Sequence, residues 1–266
     1  MPGDVPARLP REIRFEKWEG LGNDFLVVDA ATLAPDASDE IVRRLTDRRR
    51  GVGGDGILFV ERGVSPRMIV RNADGSRPEM CGNGLRCVAA HLAGLGGARE
   101  ITVETDAGPR ACTVLDGGDV AIDMGVAVLG DDLVVERAGQ THRFFRASMG
   151  NPHAITFEPE ERATIDALAP IVEHAVPGRT NVEWVTDREG RLDVLVWERG
   201  VGYTEACGTG ACAVAAVACA RGLRSFDEEH VVALPGGDLF LRVGRDLRVV
   251  MRGPARKAFE GVLSLA

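Results

Sequence analysis

The chain has 266 residues, 45% hydrophobic and 27% charged, enough for one large domain or two ordinary ones. Its 40 acidic against 32 basic residues give a net charge of −8, which argues against a nucleic-acid binder, because there is no basic surplus to neutralise phosphates. Charges and prolines in MPGDVPARLPREIRF stand where a signal peptide needs an apolar core, and no run approaches the ~18 uncharged apolar residues of a membrane span, so a cytoplasmic protein off the membrane is expected.

In chain order, the first half reads as strands at FLVVDA (25–30), ILFVE (57–61), MIVRNA (68–73), ITVETD (101–106) and VAIDMG (120–125), with helices over 38–49 and 82–95. The run Arg48, Arg49, Arg50 reads as a solvated helix end favoured by the helix dipole. GVGGDG (51–56) lacks the Gly-Lys-Ser/Thr of a phosphate loop and follows a helix instead of opening one, so a turn near the substrate is expected. The second half is patterned in the same way, with strands at HAITFE (153–158), VEWVTD (182–187), LDVLVWE (192–198), HVVAL (230–234), LFLRV (239–243) and LRVVM (247–251), and helices over 164–174 and 208–221. The last segment, 255–266, is expected to pack back on the first half.

The halves share landmarks. CGNGLRCVAAHLAGLG begins at Cys81 and CGTGACAVAAVACARG at Cys207, 126 residues later; GNDF and GNPH place Asn23 and Asn151 128 apart. Asn72 and Glu198 each stand nine residues before their cysteine. Three landmarks in one order at nearly one spacing imply an internal duplication. The runs after both cysteines are apolar nearly all round, as in buried helices. The expected architecture is α/β (α+β): two pseudo-symmetric domains, each a curved, mostly antiparallel sheet around a central helix, with the active site in the interdomain cleft. The boundaries expected are 1–126 plus 255–266, and 127–254.

Each cysteine thus opens a helix behind flexible glycines. First-turn N–H groups and the helix dipole suit a carboxylate and are expected to bring a thiol from roughly 8.5 toward neutrality. Two such cysteines facing one ligand supply a base on one face of an α-carbon and an acid on the other, the requirement for stereoinversion. Cys87, Cys112, Cys212 and Cys219 read as small buried hydrophobes and His91 as structural. No ligand pair of zinc-site spacing occurs, so no metal is expected.

These residues identify a family. GLGNDF, GVGGDG, RNADGS, MCGNGLRC, MGNPH, TNVEW and WERGVGYTEACGTGAC, covering most of the chain, resemble the diaminopimelate epimerases. The resemblance implies an isomerase without cofactor or metal that interconverts LL- and meso-2,6-diaminopimelate in lysine and peptidoglycan precursor synthesis, with a homodimer as its assembly. It implies Cys81 and Cys207 as acid and base, Gly82 with Asn83 and Gly208 with Thr209 at the α-carboxylate, and Asn23, Asn72, Asn151, Asn181, Glu198 and Arg199 around the rest of the substrate. It gives His153 and Glu198 the tuning of the thiols. Proline racemase-like enzymes and a non-catalytic amino-acid-binding homologue are the alternatives; the former usually carry His after the first Cys-Gly, where this chain has Asn83. Gly56 and Tyr203 depart from the pattern, where relatives often carry Gln and Glu.

Overall fold

The computed structural model describes residues 11–188 and 190–265. The first ten residues, most of the stretch read above for a signal peptide, and Ala266 lie outside the described residues. The first half comprises β1 (Glu12–Gly20), β2 (Asn23–Asp29), α1 (Asp39–Thr46), β3 (Gly56–Glu61), β4 (Arg67–Asn72), α2 (Gly82–Gly94), β5 (Glu100–Val103), β6 (Arg110–Val114) and β7 (Asp119–Val126). The second comprises β8 (Val128–Arg137), β9 (Gln140–Ser148), β10 (Pro152–Thr156), α3 (Arg162–His174), β11 (Asn181–Arg188), β12 (Arg191–Glu198), β13 (Gly202–Tyr203), α4 (Gly208–Ala220), β14 (Glu229–Leu234), β15 (Gly237–Val243) and β16 (Arg248–Pro254), followed by β17 (Arg256–Ser264).

The strands pair mainly antiparallel; β2 with β3, β10 with β11 and β12 with β14 are parallel. One sheet runs β17-β1-β2-β3-β4, and a larger one runs β5-β6-β7-β16-β15-β14-β12-β11-β10-β9-β8. The sheets do not divide at the duplication boundary. β7 pairs with β16, so three strands of the first half continue the sheet of the second, and β17 lies along the whole of β1 from Glu12↔Ser264 to Glu19↔Arg256.

β1 alternates charged and apolar residues from Glu12 to Glu16, a period of two that breaks at Lys17 and Trp18. Its burial alternates too, and Lys17 is tolerated inside because its ammonium meets Asp24 at 2.7 Å and the Gly53 carbonyl. α1 is capped by Ser38, whose Oγ accepts from the Ile41 N–H at 3.4 Å, and its acidic first turn suits the dipole. It ends at Thr46, earlier than composition suggests, so the arginine run is not a helix end. Asp47 instead accepts the N–H groups of Arg49 and Arg50 at 2.7 and 2.8 Å and turns the chain. Arg48 reaches Asp24 at 2.6 Å and Asp55 at 2.7 Å. That fixes the GVGGDG turn beside the start of β2.

α2 and α4 lie together in one continuous hydrophobic core that spans both halves. α4 is buried from Gly210 to Cys219, as its uniformly apolar surface requires. α2 is buried from Gly82 to Ala89, and His91 packs edge-on against Trp18 while its Nδ1 meets Glu16 at 2.7 Å. Cys87, Cys112, Cys212 and Cys219 are buried within this core. Burial pushes the Cys87 and Cys112 thiols up to about 12 and Cys219 to about 11, which makes them inert at neutral pH. No helix among the described residues is long and apolar enough to cross a membrane.

Candidate active site

Cys81 and Cys207 occupy the same position on their helices. Each is the N-cap, with extended backbone at φ −138°, ψ 112° and φ −126°, ψ 104°. The Cys81 sulfur accepts from the Gly84 N–H at 3.5 Å, and the Cys207 sulfur from the Gly210 N–H at 3.3 Å. All six cysteines are free.

The two helix starts converge on one side chain. A Cβ on Gly82 would lie 3.0 Å from the Met251 methyl, and one on Gly208 would lie 3.4 Å from the Met251 sulfur and 3.6 Å from Asn83 Oδ1. Glycine at both positions lets the helices meet over β16, with fully buried Met251 between them. A second contact joins the halves nearby: a Cβ on Gly22, in the β1–β2 turn at φ +80°, would strike Glu205 at 2.2 Å.

Around Cys207, Asn151 donates from Nδ2 to Thr209 Oγ1 at 3.2 Å, and Thr209 Oγ1 lies 3.5 Å from the sulfur. Asn151 Oδ1 lies 3.2 Å from His153 Nε2, and His153 Nδ1 lies 2.6 Å from Glu183 Oε1. Around Cys81, Asn23 donates to Asp55 at 2.6 Å and Asn83 Nδ2 reaches Asn23 Oδ1 at 3.4 Å. Those bonds tie the GVGGDG turn to the α2 start.

The remaining expected residues are more dispersed. Asn72 ends β4 and bonds Ser76 at 2.9 Å. Asn181 is buried and spends both ends of its amide on backbone, donating to the Pro152 carbonyl and accepting from the Arg199 N–H, each at 3.0 Å. Glu198 accepts from Thr204 at 2.6 Å, and exposed Arg199 donates to the Gly178 carbonyl at 3.0 Å. At Gly56 a Cβ would come within 2.6 Å of the Arg71 carbonyl oxygen. Tyr203 packs on Trp197 and donates to Asp166 at 2.5 Å, away from the thiols. A surface cavity of about 420 Å³ beside Ile165 and Trp184 includes none of these residues.

One expectation is corrected. Both thiols lie above the ordinary cysteine value, not near neutrality. Burial is the largest cause at each, and Glu198 pushes both further up by repelling a thiolate. The helix N–H bonds act in the lowering direction but do not overcome desolvation. Burial also raises Glu198 above the usual carboxylate value.

Two further residues beside the cysteines lie within MCGNGLRC and TNVEW, where the motif alone does not point to a role for them. Glu183, fully buried, adds its own repulsion at Cys207, and its Oε2 has no hydrogen-bond partner among the described residues. Arg86 is fully buried one turn beyond the α2 start. A charge inside an otherwise apolar helix is the available signal for Arg86; Glu183 is hidden in a strand that is buried at every position from 181 to 185.

Comparison with known proteins points one way. The family model described as Diaminopimelate epimerase matches residues 15–130 and 145–258. A diaminopimelate epimerase of Synechocystis sp. is 40% identical across 94% of this chain and 98% of its own length. One from Desulfitobacterium hafniense is 41% identical across 93% of this chain and 96% of its own. Among solved structures, a hydroxyproline epimerase from Agrobacterium vitis superposes with a TM-score of 0.71 at 16% identity, covering 96% of this chain and 93% of that one. A phenazine biosynthesis protein from Bacillus anthracis gives 0.71 at 15%, covering 96% and 99%. At such identities these two likenesses speak for the fold alone.

Proposed function

We propose, from the premise that this chain belongs to the diaminopimelate epimerase family, that it interconverts LL- and meso-2,6-diaminopimelate by proton transfer between two cysteines. The observation that carries the reading is the pair of cysteine N-caps on buried helices whose first turns meet at Met251.

Gly82 with Asn83, and Gly208 with Thr209, offer first-turn N–H groups to the reacting carboxylate, where two helix dipoles add positive potential. One sulfur, as thiolate, takes the α-proton. The Cα–H bond breaks, an S–H bond forms, and the electron pair moves into the carboxylate as an enediolate. The same N–H groups then bind more charge than they did in the ground state, which lowers the barrier. The opposing thiol gives its proton to the other face of the carbon, and the two sulfurs have exchanged roles. No cofactor enters this scheme, because base, acid and electron sink are all in place.

Substrate binding changes the field at the sulfurs. A zwitterion at the helix ends offsets repulsion from Glu198 with the field of its own ammonium, so a thiolate costs less in the complex. Asn23, Asn72, Asn151, Asn181, Glu198 and Arg199 make up the polar surround for the amino and distal groups. His153 acts on the thiols through Glu183 and Asn151, which it bonds directly. A homodimer in the cytoplasm, feeding lysine and peptidoglycan precursor synthesis, completes the reading.

The test is isotope exchange. In D₂O without added pyridoxal phosphate, the purified protein is expected to place deuterium on an α-carbon of diaminopimelate while interconverting the isomers. Absence of exchange there, with rapid racemisation of proline, would overturn the assignment.

A further inference from the structure

Arg86 is an unusual occupant of the α2 core. It is 0% exposed. Its Nε donates to the Pro254 carbonyl at 3.0 Å, its Nη2 to Asn83 Oδ1 at 3.0 Å, and its Nη1 lies 3.8 Å from the Met251 sulfur. All three acceptors are neutral, and no carboxylate among the described residues forms an ion pair with it. A guanidinium keeps its charge at every working pH, and a buried charge without a counter-ion is costly. The contacts also place that charge where the chemistry is: Asn83 belongs to the first turn of α2, and Met251 separates the two helix starts.

Cys207 has the opposite surroundings. Glu183 Oε1 sits so close to Gly210 that a Cβ there would lie 2.7 Å away, and the Gly210 N–H is the one that caps the Cys207 sulfur. The charged and titratable groups around the pair are few. Glu198 of β12 repels a thiolate at both sulfurs, and Glu183 of β11, bonded to His153 of β10, repels one at Cys207. The Arg86 charge favours the thiolates of Cys81, Cys87 and Cys212, and Asp119 of β7, which also acts on it, is held by Arg252 at 2.6 Å. Glu19 of β1 adds repulsion at Cys87, and Glu16 of β1 is taken up by His91 and Lys257.

We propose that Arg86 is the buried counter-charge of the thiol pair, making Cys81 the first to ionise and the base of the substrate-free enzyme while Cys207 keeps its proton. This rests on the two-thiol reading above. Arg86 is a positioning residue: it touches neither reacting atom, and acts through the field at Cys81 and through its hold on Asn83. The anion it favours is the Cys81 thiolate before substrate arrives and the carboxylate charge during the reaction.

The experiment follows alkylation by iodoacetamide in the full-length, substrate-free protein, reading Cys81 in Cys207→Ala and Cys207 in Cys81→Ala by peptide mass spectrometry across pH. The midpoint of the rate profile reports ionisation, whereas exposure alters only the plateau. The Cys81 midpoint is expected below that of Cys207; the reverse order, or equal midpoints, would sink the proposal without any further variant. Arg86→Met is expected to raise the Cys81 midpoint by about one pH unit, and to leave that of Cys207 within a few tenths. Arg86→Lys, which retains the charge, should restore most of the shift. An Arg86→Met protein whose Cys81 midpoint stays put would reduce Arg86 to a clamp between α2 and β16. Isotope exchange on diaminopimelate, run on the unaltered enzyme, tests the catalytic reading separately, since thiol midpoints involve no substrate.

Discussion

The start of α2 and the start of α4 are alike in backbone and unlike in charge. Both present an extended cysteine cap, a Gly-x-Gly first turn and a sulfur bonded by the third N–H. Yet Cys81 has a buried guanidinium behind it and Asn83 in its first turn, while Cys207 has Glu183, His153 and Thr209. Duplication supplied the symmetric part, which inversion of a carbon needs. Divergence of the surroundings supplied the asymmetric part, which on the proposed reading decides where a proton rests and how an asymmetric ligand lies.

The sharpest way to break the symmetry is to remove one sulfur. Cys81→Ala and Cys207→Ala are each expected to lower isomer interconversion by about 10³-fold, measured as deuterium entry into diaminopimelate. Near-normal turnover in either would end the two-base scheme. Met251 serves both helix starts, so Met251→Ala should cost about 2–5 kcal/mol in urea unfolding. An unchanged midpoint would mean that the helices do not depend on their shared spacer.

Two glycines then separate the halves. Gly210→Ala puts a methyl 2.7 Å from Glu183 and 3.2 Å from the Cys207 sulfur, against a carboxylate locked to His153. Gly84→Ala meets chiefly Leu58 Cδ2, at 2.8 Å, the end of a flexible side chain. The first should lose about tenfold more kcat than the second; equal losses would deny the rigid Glu183 wall. Glu198→Gln tests what the halves share. Its carboxylate raises both thiols, so the variant should bring both alkylation midpoints down, by about one pH unit, while turnover falls. A shift at one cysteine alone would show that Glu198 belongs to one half.

The smallest effect is on stability at alkaline pH. A thiol raised in the folded state binds its proton more tightly there than in the unfolded chain. Its contribution is therefore complete below the unfolded value of roughly 8.5 and is lost as pH rises through the folded value. Thermal melts should show Tm falling above about pH 9, and less steeply in Cys207→Ala than in Cys81→Ala, because Cys207 is the more strongly raised. The opposite ranking would contradict the charge asymmetry.

Much of this is legible in the sequence because the signals are local. A cysteine before Gly-x-Gly and an Ala-rich run is a helix start by its own composition, and α4 begins at Gly208 as its spelling suggests. The repeated Asn23/Asn151 spacing marks residues that stand beside their respective helix starts. The arginine run misleads because Asp47 ends α1 through two N–H bonds, a choice that helix propensity does not reveal. Edge strands such as β8 and β17, exposed along most of their length, offer little periodicity, and their pairing depends on partners distant in sequence.

The sequence by itself determined the two helix starts and the cysteines that cap them, because each is encoded within some twenty consecutive residues, and the duplicated plan, because those local signals recur in order. Only the tertiary structure decided the state of those sulfurs. Whether a helix end acidifies a thiol depends on the balance between a few N–H dipoles and the loss of water, and that loss is set by how the rest of the chain packs around the sulfur. It also decided which charges matter. Arg86 lies five residues after Cys81, and Glu183 lies 24 before Cys207; electrostatic influence follows distance and burial in space, which sequence separation does not measure.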